Sequence, residues 1–238
     1  MKFIKDINLN NKRVLIRTDY NVPIEDGEIV NDYRIKKSLD TINYCLDKNS
    51  AVVLMSHLGR PRGKSHPNLT LEPISWYLEE ALGVDVFFSN DCISKESMLA
   101  TSNLKPGEII LLENLRFYKE ETLNDIKFAE QLSKHGDVYI NDAFGTAHRS
   151  HSSNVGVTKF FKEKGFGFLI KDEIKYLKES MDNPRSPLLF ILGGAKISTK
   201  LELLDHLIDK TNTILIGGAM TFTFLKSMGY EIGKSLFE

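Results

Sequence analysis

Cysteine is scarce. The chain holds only Cys45 and Cys92, with no CxxC spacing, which excludes a disulfide-built scaffold or a cysteine-rich zinc module and fits a reducing compartment. Long apolar runs are missing too: nowhere do about 18 apolar residues follow one another, the length a membrane-spanning helix needs. The start, MKFIKDINLNNKRV, is charged and lacks the apolar centre of a secretory leader. These absences argue for a soluble, cytoplasmic protein. Excess charge of one sign is also lacking, since 31 Lys and Arg stand against 32 Asp and Glu, a formal net charge of −1. Nothing in the bulk composition calls for a nucleic acid or a membrane as partner, so any anion binding must come from local clusters. What remains is ordinary globular composition, in 238 residues suited to one large domain or two smaller ones.

Short runs rich in Val, Ile and Leu at 13–17, 51–55, 108–112 and 137–140 read as buried strands. Helical stripes alternate with them. Ile35, Leu39, Ile42 and Leu46 form one; Ile74, Leu78, Ala81 and Leu82 form a second, with Thr70 as N-cap and Gly83 as stop; Ile126, Ala129 and Leu132 form a third, closed by Gly136. Alternation of this kind predicts a doubly wound, Rossmann-like parallel sheet with right-handed crossovers. Ligands of such sheets bind beyond the carboxyl ends of the strands.

Those ends share a chemistry. TDYNVP follows the first strand with Asp19 and Asn21, and Arg34 opens the next helix. SHLGRPRGK follows the second with His57, Arg60, Arg62 and Lys64, ENLRF the third with Arg116, and NDAFGTAHRSHSSN the fourth with Arg149. A lone loop arginine is ordinarily a solvated surface charge, and Asp19 and Asn21 can serve merely to shape the turn before Pro23. Four successive loops of this type on one edge of a parallel sheet point instead to an anion site. His148 and His151, three apart, raise a zinc site as well. Arg149 between them would repel a cation, and no third ligand follows at a zinc-like spacing. The two histidines read better as hydrogen-bonding supports of the loop.

A helix from about 169 to 182 ends at NPRSP, and two further strands are predicted at 188–192 and 213–216. Each ends in a glycine pair, GGAK at 193–196 and GGAM at 217–220. Glycine there lets a ligand approach the backbone, and a following helix presents free N–H groups to a phosphate. Lys196 and Lys200 are expected one helical turn apart, both facing that phosphate. The plain alternative is two tight turns with exposed lysines. Neither a Walker A loop nor GxGxxG is present.

RTDYNVP, SHLGRPRGK, LLENLRF, NDAFGTAHRSHSS, GGAKISTK and IGGAMTFTFLK together, in this order from about 13 to 226, resemble phosphoglycerate kinase. The resemblance implies two doubly wound α/β domains and phosphoryl transfer from 1,3-bisphosphoglycerate to ADP in glycolysis, with ATP and Mg2+. It assigns Asp19, Tyr20, Asn21, Arg34, His57, Leu58, Gly59, Arg60, Arg116 and Arg149 to the phosphoglycerate. It assigns Gly194, Ala195, Lys196, Lys200 and Gly218 to the nucleotide, with Arg34 and Lys200 nearest the transferring group. Ala219 and Ser150 depart tolerably from the family pattern, where glycine and alanine are usual. The expected organisation is an N-terminal domain over 1–168, a connecting helix and hinge over 169–186, and the start of an incomplete nucleotide domain over 187–238. The aspartate that holds magnesium in the family falls in a later segment, so no metal ligand is expected here, and a monomer is expected. Two other readings stay open: a phosphoglycerate-binding module without turnover, and a dinucleotide-dependent dehydrogenase. The second lacks GxGxxG and an acidic ribose ligand at the usual distance.

Overall fold

The computed structural model describes every residue except Asp26 and Asn183, and leaves out the side chains of Glu179 and Ser180. In chain order the elements are β1 (Arg13–Arg17), β2 (Ile24–Glu25), β3 (Glu28–Ile29), α1 (Tyr33–Asp47), β4 (Ala51–Met55) and α2 (Glu72–Leu82). Then come β5 (Val86–Ser89), α3 (Lys95–Ser102), β6 (Ile109–Leu112), α4 (Lys119–Leu123), α5 (Ile126–Ser133), β7 (Val138–Asn141) and β8 (Glu163–Phe166). The last are α6 (Phe168–Asp182), β9 (Leu189–Gly193), α7 (Leu201–Ile208), β10 (Thr213–Gly217) and α8 (Met220–Ser227). The chain divides into two compact units, Met1–Glu173 and Ile174–Glu238. The division falls inside α6.

In the first unit six strands pair in the order β5-β6-β4-β1-β7-β8, with every strand parallel to its neighbours. Side chains alternate across a strand, so both faces have their own core. Val14, Ile16, Val52, Leu54, Ile109 and Ile140 meet Ile35 and Ile42 of α1 and Ile74 and Leu78 of α2. Leu15, Val53, Met55, Ile110 and Tyr139 meet Phe128 and Leu132 of α5 on the other face. Each such aliphatic side chain contributes about 1.5–3 kcal/mol on burial. The sheet is thus doubly wound, as the alternation of strands and helices predicts.

Local signals explain the ends of several helices. Gly83, at φ 67°, closes α2 in the left-handed region that its missing Cβ permits. Asp125 and Ser94 cap α5 and α3 by accepting the N–H of Phe128 and Ser97. Thr70, expected as the cap of α2, sits one residue too early: Leu71 holds the cap position, and the Thr70 hydroxyl accepts the N–H of Glu72 at 3.2 Å. Two strands of the sheet escape the apolar-run signal. β5 is a half-exposed edge, and β8, Glu-Lys-Gly-Phe, joins β7 through backbone pairing alone.

The start of α6 is fixed within the first unit. The Asp142 carboxylate accepts the Thr41 hydroxyl at 2.6 Å and the N–H of Ile170 at 3.2 Å, and Thr41 Oγ1 accepts the N–H of Phe168 at 3.0 Å. Burial raises the Asp142 pKa to about 6 against these hydrogen bonds. In the second unit β9 and β10 pair in parallel, with Ile191 opposite Leu215. Leu192, Leu207 and Met220 are its buried apolar residues.

Candidate functional site

The strand order places β6, β4, β1 and β7 side by side, so the four loops singled out by their basic residues are neighbours in space. Their joints are side-chain hydrogen bonds. Ser56, after β4, donates to the carbonyl of Thr18 and accepts the N–H of Tyr20, both at 2.8 Å. Asn114, after β6, donates to the carbonyls of Leu58 and Leu69 at 2.8 Å and accepts the N–H groups of Leu58 and Arg116. Short amides and hydroxyls with few rotamers hold these loops in register.

Arg34, Asp19 and Asn21 form one group. Arg34 Nη1 donates to both Asp19 oxygens at 3.2 Å and to the Asn21 carbonyl at 3.1 Å. Asn21 Oδ1 accepts the Gly59 N–H at 2.9 Å. Gly145 approaches this group from the loop after β7: a Cβ there would lie 2.6 Å from Asp19 Oδ2. The sheet's winding turns between β1 and β7, which is where open α/β sheets bind ligands.

Arg60, Arg116 and Arg149 line a cavity of ≈ 440 Å³ together with Arg62, Gly63, Tyr118, Lys119 and Thr122, and no Asp or Glu is among these residues. Arg116 is only 6% exposed. Its Nη1 donates to the Gly59 carbonyl at 2.7 Å and its own carbonyl accepts the Gly63 N–H at 3.1 Å, so the loop after β4 is tied to it twice. Its Nε and Nη2 are buried without a partner. Burial, then the neighbouring Arg149 and Arg17, lower its pKa to about 10, which leaves it charged at neutral pH. A buried guanidinium with two unused donors is fitted to an oxyanion.

His57 is 3% exposed, and Arg17 Nη2 lies 3.2 Å from its Nδ1. Burial and then Arg17, Arg116, Arg149 and His151 push its pKa far below the ordinary value, so the ring is neutral. Tyr20 and Leu58 turn their side chains into the core, with the Tyr20 hydroxyl 3.0 Å from Ser38 Oγ. Of the two histidines in NDAFGTAHRSHSSN, His148 is exposed and accepts from Arg149 Nε at 3.4 Å. His151 is buried, with Nδ1 3.6 Å from Glu121 Oε1 and no hydrogen bond.

In the second unit the glycine pairs converge. Gly194 has φ 159° and Gly218 φ 71°, a Cβ on Gly218 would lie 2.8 Å from the Gly194 carbonyl oxygen, and that oxygen accepts the Met220 N–H at 2.9 Å. Lys200 Nζ is 3.5 Å from where a Gly194 Cβ would stand. Lys196 does not stand one helical turn from Lys200 as expected. Residues 198–200 form a tight turn and α7 begins only at Leu201, so Lys196 and Lys200 share no α-helical turn. Ala195 and Lys196 are exposed. Beside them, Ser198 donates its N–H at 2.8 Å and its hydroxyl at 2.6 Å to the Glu238 carboxylate. These bonds lower the Glu238 pKa.

Sequence reading missed Arg17, Lys119, Asn114 and Glu121. Arg17 left a signal: a charged residue closing an apolar strand is fully buried here and must have a buried partner. The other three carry no pattern of their own and are defined only by what surrounds them.

A doubly wound parallel sheet with arginines gathered at the carboxyl ends of its strands makes this an α/β protein of the Rossmann-like class. The chain belongs to the phosphoglycerate kinase family, whose model, described as "Phosphoglycerate kinase", matches residues 4–238. It is 50% identical over 239 residues to the phosphoglycerate kinase of Finegoldia magna and 49% identical over 238 residues to that of Prosthecochloris aestuarii. Each alignment covers 100% of this chain and 60% of the relative. The phosphoglycerate kinase structure from Coxiella burnetii superposes with a TM-score of 0.87 at 39% identity, over 100% of this chain and 59% of that one. The structure from Pyrococcus horikoshii gives 0.86 at 34% identity, over 98% and 59%. The chain therefore spans about 60% of the length of the relatives it matches.

Proposed function

We propose that the chain is the phosphoglycerate-binding part of a phosphoglycerate kinase, together with the first portion of its nucleotide site. The reaction is reversible phosphoryl transfer between 1,3-bisphosphoglycerate and ADP, in the cytoplasm, by a monomer. The buried Arg116, with two donors left unused beside Arg60 and Arg149, is the observation that carries this reading. A phosphomonoester brings about −1.5 to −2 charges, and a cavity lined by four arginines and a lysine with no carboxylate is matched to it.

The chemistry asks for no general base. The acceptor is a carboxylate, ionised well below neutral pH, so catalysis is positioning plus stabilisation of charge during in-line transfer. Asp19 and Asn21 orient Arg34 toward the transferring group, and Arg60, Arg116, Arg149 and neutral His57 grip the phosphate. Lys196 and Lys200 meet the nucleotide phosphates, and Gly194, Ala195 and Gly218 lie near the adenosine end. The convergence of the glycine loops supports that assignment. Among the described residues no group of three or more His, Cys, Asp or Glu is placed to hold a metal ion. Magnesium would be supplied with the bound nucleotide.

Calorimetry with 3-phosphoglycerate on the 238-residue protein tests the proposal. Binding is expected, and Arg149→Ala should weaken it by about tenfold or more. A folded protein without affinity would overturn the reading. Turnover by the 238-residue chain is expected to be negligible; appreciable ATP formation would show that it already holds every essential group. Without turnover, the chain taken alone is a binding module.

A further inference from the structure

We infer that Glu121, Ser153, Arg17 and His57 form a buried hydrogen-bonded relay that holds His57 as a neutral Nε2–H donor toward the bound anion, making Ser153 and Glu121 positioning residues of that site. The inference rests on the reading of His57 as a phosphoglycerate ligand. Glu121, Ser153 and Arg17 are fully buried, and His57 nearly so. Glu121 comes from α4, Arg17 from the end of β1, His57 from the loop after β4 and Ser153 from the loop after β7, so the relay crosses the floor of the site.

Its direction follows from the donors. The Ser153 hydroxyl donates to Glu121 Oε1 at 2.6 Å and the Ser153 N–H to Oε2 at 2.9 Å. Ser153 Oγ accepts Arg17 Nε–H at 2.8 Å, and Arg17 Nη1 donates to the Thr18 carbonyl. Arg17 Nη2 then faces His57 Nδ1 at 3.2 Å. A guanidinium has no acceptor, so Nδ1 must accept and the ring proton belongs to Nε2. Among the described residues nothing bonds Nε2.

The groups facing His57 are Arg17 from β1, Arg116 from the turn after β6, and Arg149 and His151 from the loop after β7. None is a carboxylate, and Glu121 is engaged by Ser153. Protonating His57 would add another charge to a cluster in which burial, and then Arg149 and Arg17, already depress Arg116. A neutral ring supplies a directed donor without that repulsion. The low pKa of His57 agrees with this geometry. The Glu121 carboxylate stays ionised despite burial, because His151, Arg17 and Ser153 hold it below the usual range.

The test is the imidazole spectrum of the 15N-labelled protein, with His57 assigned by difference from His57→Gln. The expected result is a neutral, Nε2-protonated ring that does not titrate from about pH 5 to about pH 8. An Nδ1–H tautomer, or titration near the ordinary value, overturns the relay. Ser153→Ala should mix the tautomers and raise the dissociation constant for 3-phosphoglycerate about tenfold, with Ser153→Thr restoring both. An unchanged His57 spectrum and affinity in Ser153→Ala removes the positioning role. Loss of 3-phosphoglycerate binding in the wild type would overturn the proposed function instead, and the imidazole spectrum judges the relay independently.

Discussion

In the first unit β4 is buried at all five residues, whereas in the second β9 is buried at one of five and β10 at none. All three are short apolar runs. What differs is cover. Strand β4 lies between β1 and β6 with a core on each face. Strands β9 and β10 pair only with each other among the described residues, leaving Ile191 71% and Leu215 50% exposed. Apolar sequence makes a strand possible, and burial on both faces makes it stable.

Hydrogen exchange should open the widest gap between the units. Amides of β4 are expected to exchange at least about a thousandfold more slowly than those of β10. Equal protection would erase the distinction. Side-chain truncation sharpens it next. Leu54→Ala, at a fully buried position, should cost about 2–5 kcal/mol in chemical denaturation. Leu215→Ala, half exposed, should cost below about 1 kcal/mol. Comparable losses would mean that Leu215 is covered in solution.

Acidity separates the units by a smaller amount. Asp142 binds its proton up to about pH 6 in the folded state and to an ordinary 3.8 otherwise. Between these values the folded protein holds more protons, so stability falls as pH rises, by about 1–3 kcal/mol in all. Asp142→Asn should flatten this slope in the first unit's melting temperature, and a slope that survives would exonerate Asp142. The smallest effect concerns caps. Asp125→Ala removes the side-chain cap of α5 and should cost about 1 kcal/mol. Since α7 and α8 begin without side-chain caps, no substitution at Lys200 or Ala219 should cost a comparable cap energy in denaturant melts.

Periodicity carried the fold where burial was strong. The four inner strands were legible because burial on both faces makes them continuous apolar runs, and the stripes of α1, α2 and α5 because one residue in three to four must face a core. Edge strands β5 and β8 were not, since an edge needs only backbone pairing. The loops' residue types located the candidate site, because Arg116 and Arg149 follow strand ends. Their supports stayed hidden. Ser153 and Asn114 matter through partners 136 and 56 residues away in sequence, and no local pattern records that.

The two unused donors of Arg116 have a consequence for engineering. A buried cation with two nitrogens left without partners weighs against the ligand-free fold, so the molecule is less stable empty than its packing allows. An apolar residue of similar length, as in Arg116→Met, should raise the melting temperature while abolishing anion affinity. Selection for thermal resilience alone would then erode the clamp, whereas screening in the presence of the phosphorylated ligand would preserve it.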